Sequence, residues 1–457
     1  MTEPAHNFTA FRWRHPMTQP TSGSTVDFTP SSRRDFLKAG AAAVAIPAVI
    51  ASIAPRAYAA GSDKLKIGLV GCGGRGSGAA REALSADPNV ELVAMGDAFG
   101  ENLNGSLRNL LAVDTIKSKI KVDDDHKFVG LDAYKKVIDS CDVALLCSPP
   151  GFRPVHFKYA VEAGKHIFTE KPMATDGPGV RSIMESVEVS KQKKLGICAG
   201  FCWRYDNAKR AFFEQIQNGA LGEVKAVFGT YLTSPVKPMP PAATRPEGIS
   251  NLEWMVRNWY NYTWLSGDGL VEQAVHTVDW LAWVFQDQPP VSCTAIGGRQ
   301  IPQEGGNIFD HIEVNYVWAN DARGFLAQRQ TPGCHNENNL YVLGTKGSGQ
   351  LGPRGTVING EKEEWKYKGP GNNMYQTEHD EFFKAIRDGK PFNNGDRMAK
   401  STLMGIMGRT AAYTGKQITW EMMLNSQESL VPAAYPDGWK TQVELPKTAM
   451  PGITPFA

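Results

Sequence analysis

The sequence predicts an α/β chain whose first folded domain is a doubly wound parallel sheet, and three observations predict it. A β-rich run from Lys64 to Val70 enters the glycine turn Gly71-Cys72-Gly73-Gly74-Arg75-Gly76, which leads into the helical pattern SGAAREALSA. A second apolar run, VELVAMGD, ends in an acid at Asp97. Two further runs, DVALLC and KHIFT, alternate with helical stretches and end in polar, proline-bearing turns, as strands of a parallel sheet with crossover helices do.

The elements follow in chain order. Residues 1–30 are polar and rich in Pro, Thr and Ser, and are given no structure. Ser32-Arg33-Arg34-Asp35-Phe36-Leu37-Lys38 then matches a twin-arginine export pattern, followed by a weakly apolar run from Ala39 to Ala54 and the small residues Ala57-Tyr58-Ala59. That run contains Pro47 and falls short of the ~20 strongly apolar residues that span a bilayer. The expectation is a signal cleaved near Ala59 or Ala60, with the twin-arginine translocase as a partner, a periplasmic or otherwise exported location, and no stable membrane span. The 457 residues leave room for two domains beyond it, at ~100 to 200 residues each. The division read from the sequence is 1–60 for the disordered N-terminus and signal, 61–200 for the first domain, 201–440 for the second, and 441–457 for a tail.

The balance of 49 Lys+Arg against 47 Asp+Glu, with no block of like charge, argues against a nucleic-acid partner and for a small-molecule ligand. The seven cysteines are not clustered as zinc ligands, and neither a metal nor a disulfide framework is expected.

In the glycine turn, Gly71 permits a tight turn, Gly73 lets a pyrophosphate approach the backbone, and Gly76 lets the helix pack against the strand; Gly74 and Arg75 complete the loop. The phosphates would rest on the helix N-terminus. Asp97 stands where an acid binds the ribose hydroxyls, and Ala98, Phe99 and Gly100 offer no base to offset its charge. NAD is therefore favoured over NADP. Ser148-Pro149-Pro150 and Glu170-Lys171-Pro172 end the later strands, where ligands of such sheets bind.

These residues carry a resemblance. GCGGRG, the SPP turn with His156 after it, AGKHIFTEKP, and GDGLVEQAVHTVDW make the chain similar to the Gfo/Idh/MocA oxidoreductases from about Lys64 to Trp420. The resemblance implies an N-terminal Rossmann domain and a C-terminal α/β domain with an open, mostly antiparallel sheet whose face often serves homo-oligomerisation. It implies sugar, polyol or related substrates, and a Lys171 that hydrogen-bonds the reacting hydroxyl and assists its proton transfer. It also adds Ser148, Pro149, Pro150, His156, Glu170 and Lys171 to the cofactor set.

From the residues themselves, Lys171 is aimed at the ligand crevice by its place at a strand end before a proline. Glu272, His276 and Asp279 fall at i, i+4 and i+7, one face of a helix. His276 suits a general base, with Asp279 orienting its ring. The family commonly has Asp where this chain has Glu272. Arg204, Tyr205, Asn258 and Trp259, in aromatic runs mixed with Arg and Asn, suit a carbohydrate pocket. His335 and His379 have no partner recognisable from sequence.

The function expected is an exported NAD-dependent oxidoreductase of a CH–OH group in a sugar, polyol or glycoside. The alternatives are an NAD-dependent glycosidase working by transient oxidation, elimination and re-reduction, and a non-catalytic sugar-binding protein. Export with cofactor in place further implies tightly bound NAD.

Overall fold

The computed structural model describes residues 63–457, apart from 302–304, 354, 362, 433 and 436. The twin-arginine segment lies outside the described residues. The first domain runs β1 (Leu65–Val70), α1 (Gly74–Ala86), β2 (Val90–Asp97), α2 (Gly100–Leu111), β3 (Lys127–Val129), α3 (Ala133–Asp139), β4 (Val143–Leu146), α4 (Arg153–Glu162), β5 (His166–Thr169), α5 (Gly177–Gln192) and β6 (Ile197–Ala199). Its six strands are all parallel, in the order β3-β2-β1-β4-β5-β6. The central strands are apolar throughout because helices cover both faces, and Ile67, Leu69, Val143, Leu145 and Ile167 are fully buried. The order reverses between β1 and β4, so the turns after these strands part and open a crevice at their carboxyl ends.

Two glycines in the first turn are required by the packing. Gly71 has φ +91°, in the region that favours glycine, and a Cβ there would lie 2.6 Å from the Cys147 carbonyl carbon. A Cβ on Gly76 would lie 1.9 Å from the Gly71 oxygen, so α1 packs this close to its strand only without a side chain.

The second domain contains α6 (Asn207–Gln217), β7 (Val224–Thr233), α7 (Asn251–Arg257), α8 (Thr263–Ser266), α9 (Gly269–Glu272), α10 (Val275–Val284), β8 (Ser292–Gly298), β9 (His311–Val317), β10 (Arg323–Gln330), β11 (Leu340–Gly344), β12 (Gly347–Gly352), β13 (Gly355–Gly360) and β14 (Glu364–Lys366). It continues with α11 (Met374–Arg387), α12 (Gly395–Thr414), β15 (Ile418–Thr419) and α13 (Trp420–Asn425). The nine-stranded sheet, ordered β14-β13-β12-β11-β7-β10-β9-β8-β15, is antiparallel except where β10 runs parallel to β7. Period-two alternation gives it one dry face: in β9 Ile312, Val314 and Tyr316 are buried while Glu313 is exposed. Helices α10 and α12 pack on that face, and the other face leaves Phe228, Ile296 and Leu343 exposed.

One helix beyond residue 200 packs back onto the first domain. Phe382 and Phe383 of α11 are buried in the core of the first domain, beside Leu145 and Phe168. The last segment also returns to it. The Leu430 N–H donates to Asp176 (2.8 Å) and the Trp439 ring stacks on Phe99 at 5.0 Å, while Asn251 of α7, in the second domain, donates to the Val443 carbonyl (3.0 Å). No helix among the described residues is long and apolar enough to cross a membrane, and the seven cysteines are unbridged.

Candidate active site

The crevice between the two domains is a cavity of about 670 Å³. On one wall lie Gly71, Gly73, Gly74 and Gly76. A Cβ on Gly73 or Gly74 would meet nothing within 4 Å, so bare backbone faces the space. Gly73 stands at the N-cap of α1 and no side chain caps that end, which leaves the first N–H groups of the helix available for a phosphate. Asp97 is held by the Cys72 N–H (2.7 Å), the Phe99 N–H (2.9 Å) and Asn102 Nδ2 (3.1 Å) while still lining the cavity. A carboxylate has roughly four lone-pair sites, so one remains for a ribose hydroxyl. The cradle thus fits a dinucleotide.

Arg75 lines the cavity too, but its guanidinium donates to Glu170 (2.6 Å) and Glu82 (2.8 Å). It ties the glycine loop to the turn after β5, a more indirect role than its place in the loop suggests. Ser148, Pro149, Pro150 and His156 form the adjoining wall. His156 Nδ1 pairs with the Ser148 hydroxyl at 3.0 Å and its ring stacks on Tyr134 at 4.1 Å. Burial, then the charge of Arg153, pushes its pKa down to about 3. Arg153 itself went unrecognised in the sequence. Fully buried, it donates to the carbonyls of Ser148 and Pro172 and so joins the two turns.

Lys171, Glu272 and His276 line the same cavity. Lys171 Nζ donates to the Glu272 carbonyl and to Glu272 Oε1, the latter at 3.1 Å. Gln273 Nε2 donates to Glu272 Oε2 (2.7 Å), and the Tyr231 hydroxyl donates to Gln273 Oε1 (2.6 Å). Neither Gln273 nor Tyr231 was foreseen; Tyr231 lies on β7, 42 positions from its partner, beyond any local pattern. The His276 ring stacks on Trp203 at 4.7 Å, and its Nδ1 is enclosed without a partner among the described residues. Burial first, then the charges of Lys171, Lys209 and Arg75, hold its pKa well below the usual histidine range.

Several expectations are corrected. Glu272 and His276 do not share a helix, because α9 ends at Glu272 and α10 begins at Val275. Asp279 does not orient His276. Its carboxylate accepts Arg204 Nε (2.8 Å), Arg204 Nη2 (2.9 Å) and the Ser401 hydroxyl (2.8 Å). The physical reason is that Arg204 is 5 % exposed and would otherwise be an unpaired buried charge. Arg204 also binds Asp287 and lies over Trp283, so it is a structural cation away from the cavity. Tyr205 is likewise buried, its hydroxyl accepting from Asn394 Nδ2 at 2.9 Å. Asn258 terminates α7 and turns back to the Trp254 carbonyl (2.9 Å). Of that group only Trp259 lines the cavity, joined by Tyr260.

A nucleotide cradle faced by proton-handling side chains across a domain crevice is the layout of the dinucleotide-dependent oxidoreductases. The relatives narrow the class. Residues 65–201 match the model of the oxidoreductase family with an NAD-binding Rossmann fold, and residues 210–350 match the GFO/IDH/MocA C-terminal domain. The chain belongs to the Gfo/Idh/MocA oxidoreductase family. It is 24 % identical over 300 residues to an inositol 2-dehydrogenase of Rubrobacter xylanophilus, covering 65 % of this chain and 74 % of that one. In fold it is similar to the aldose-aldose oxidoreductase from Caulobacter crescentus complexed with glycerol, with TM-score 0.61 and 17 % identity over 78 % of this chain and 99 % of that one. A levoglucosan dehydrogenase solved with NADH and levoglucosan gives TM-score 0.61 at 19 % identity, with the same coverage of both chains.

Proposed function

We propose that this chain is an exported NAD-dependent dehydrogenase acting on a secondary CH–OH group of a sugar, polyol or glycoside. The observation that carries the reading is the meeting of Lys171, Glu272 and His276 with the glycine loop on one cavity, with Trp259 beside them. Bound NAD supplies the hydride acceptor. Gly73, Gly74 and the start of α1 would hold its phosphates and Asp97 its ribose, while Lys171 and His276 bind and orient the hydroxyl that loses its proton. Trp259 and Tyr260 give flat apolar faces of the kind that C–H surfaces of sugars pack against. Relatives named for inositol and levoglucosan support a polyol or sugar substrate.

Export rests on the twin arginines at Arg33 and Arg34 ahead of the Ala39 to Ala54 run. An enzyme exported folded must keep its cofactor. At an association rate of ~10⁶ M⁻¹s⁻¹, retention over minutes requires a Kd of roughly nM. The exposed sheet face bearing Phe228, Ile296 and Leu343 is the surface proposed for homo-oligomerisation. The test is to load the purified chain with NAD and screen inositol, levoglucosan, glucose and glycerol for NADH formation, identifying the keto product by mass spectrometry. Formation of a hydrolysed sugar without ketone would refute the dehydrogenase reading.

A further inference from the structure

We infer that His276 serves the substrate as a hydrogen-bond donor through Nε2–H, and that the hydroxyl proton passes by way of Lys171 to Glu272. The inference rests on the dehydrogenase reading for its chemistry, and on the ring's surroundings for its geometry.

A neutral imidazole carries its proton on one nitrogen and a lone pair on the other, and the bond available to one nitrogen decides the state of the other. His276 Nδ1 is enclosed with no hydrogen-bond partner among the described residues. The ring face is covered by Trp203 at 4.7 Å, and Phe201 approaches edge-on at 6.2 Å; neither offers an acceptor. Asp279, the carboxylate on the same helix, is taken by Arg204 and Ser401. A proton on Nδ1 would therefore be a buried donor with nothing to bond, at the full cost of its desolvation. The proton belongs on Nε2, leaving that nitrogen with no lone pair to act as a base. Nor does the ring gain a second proton. The charged groups bearing on it are all cations, Lys171, Lys209 and Arg75, and burial disfavours the charged form.

Glu272 is built to accept. One oxygen is fixed by Gln273 Nε2 (2.7 Å), and Gln273 is itself oriented by the Tyr231 hydroxyl (2.6 Å). The other oxygen faces Lys171 Nζ at 3.1 Å. Lys171 as an ammonium has no lone pair, so it passes one of its own protons to Glu272 Oε1 as it takes the proton of the substrate hydroxyl. The O–H and C–H bonds of the alcohol break and a C=O bond forms. The two electrons would leave as hydride to oxidised nicotinamide held in the cradle, while Lys171 ends as it began and Glu272 ends as a carboxylic acid. His276 Nε2–H bonds the substrate oxygen as negative charge develops on it.

The test is ¹⁵N NMR of the full chain labelled at histidine, with NADH bound, the His276 signals being assigned by their loss in H276Q. The expected result is a neutral ring protonated at Nε2; a proton on Nδ1, or an imidazolium at neutral pH, overturns the inference. This readout needs no substrate, so it fails or succeeds separately from the screen for dehydrogenase activity. On whichever of inositol, levoglucosan, glucose or glycerol the wild type oxidises, H276Q keeps a donor near the Nε2 position and loses about tenfold in kcat, whereas H276A and E272Q lose ~10²- to 10⁴-fold. H276Q falling as far as H276A, or E272Q keeping its activity, overturns it. NADH titration of each variant confirms that the cradle is folded.

Discussion

Lys171 and Arg204 are both buried cations that a sequence reading assigns to the site, and their partners separate them. Lys171 pairs directly with Glu272 at the cavity surface, while Arg204, off the cavity, is enclosed by Asp279 and Asp287. Lys171→Ala is expected to lower kcat by ~10²- to 10⁴-fold with NADH affinity unchanged, as read by steady-state kinetics and fluorescence titration. Arg204→Ala should instead destabilise the fold by ~3 to 5 kcal/mol, because it strands a buried carboxylate, and urea unfolding measures that loss. Buried histidines set the acid limit. His156 and His166 have pKa values pushed down to about 3 and about 4, chiefly by burial. The unfolded chain, with histidines near ~6.5, binds more protons across that window, so stability falls as pH drops from about 6.5 to about 3. Each histidine adds a slope of about 1.4 kcal/mol per pH unit, and His166→Gln should remove one such share from urea midpoints measured against pH. The residues that chemistry names by type, such as Gly71, Asp97 and Lys171, were legible in sequence. Arg153, Gln273, Tyr231 and Trp203 were not, because each is defined by what it touches, and an aromatic or arginine near a motif has no address of its own.

At the scale of elements, legibility followed the range of the signal. Strands β1, β2, β4 and β5 announce themselves through local apolar runs that end in turn residues, and α1 through its glycine entry. The region around His276 misled because helical spacing assumes one continuous helix. The chain breaks at Gln273 and Ala274, and this break lets Glu272 turn toward Lys171 while Gln273 meets Tyr231. The return of α11 to the first domain and the path of the last segment depend on long-range packing that no local pattern reports. That segment buttresses the cofactor wall: Phe99 lies between the Trp439 ring at 5.0 Å and the Arg257 guanidinium at 4.1 Å, and Arg257 pairs with Glu101 at 2.7 Å. Trp439→Ala is expected to raise the NADH Kd by roughly two- to tenfold, the equivalent of one aromatic stack, in a fluorescence titration.

At the scale of the molecule, the two sheets divide the labour. The parallel sheet presents a cradle at its carboxyl ends, and the antiparallel sheet carries on its helical face the residues that close the crevice. The opposite face of that sheet, where Ile296 is 72 % exposed and Leu343 56 %, is free among the described residues. If it mediates self-association, the 49.9 kDa chain should sediment as an oligomer, and Ile296→Glu with Leu343→Glu should shift it toward the monomer without loss of fold. The central claim is that one crevice removes hydride and proton from a CH–OH group, and its most direct test is the absorbance of NADH. Wild-type chain loaded with NAD and given inositol, levoglucosan, glucose or glycerol should form NADH and a ketone in equal amounts, and the Lys171→Ala chain should form both at least a hundredfold more slowly. Equal rates from the two chains, or substrate consumed with no ketone, would contradict the account.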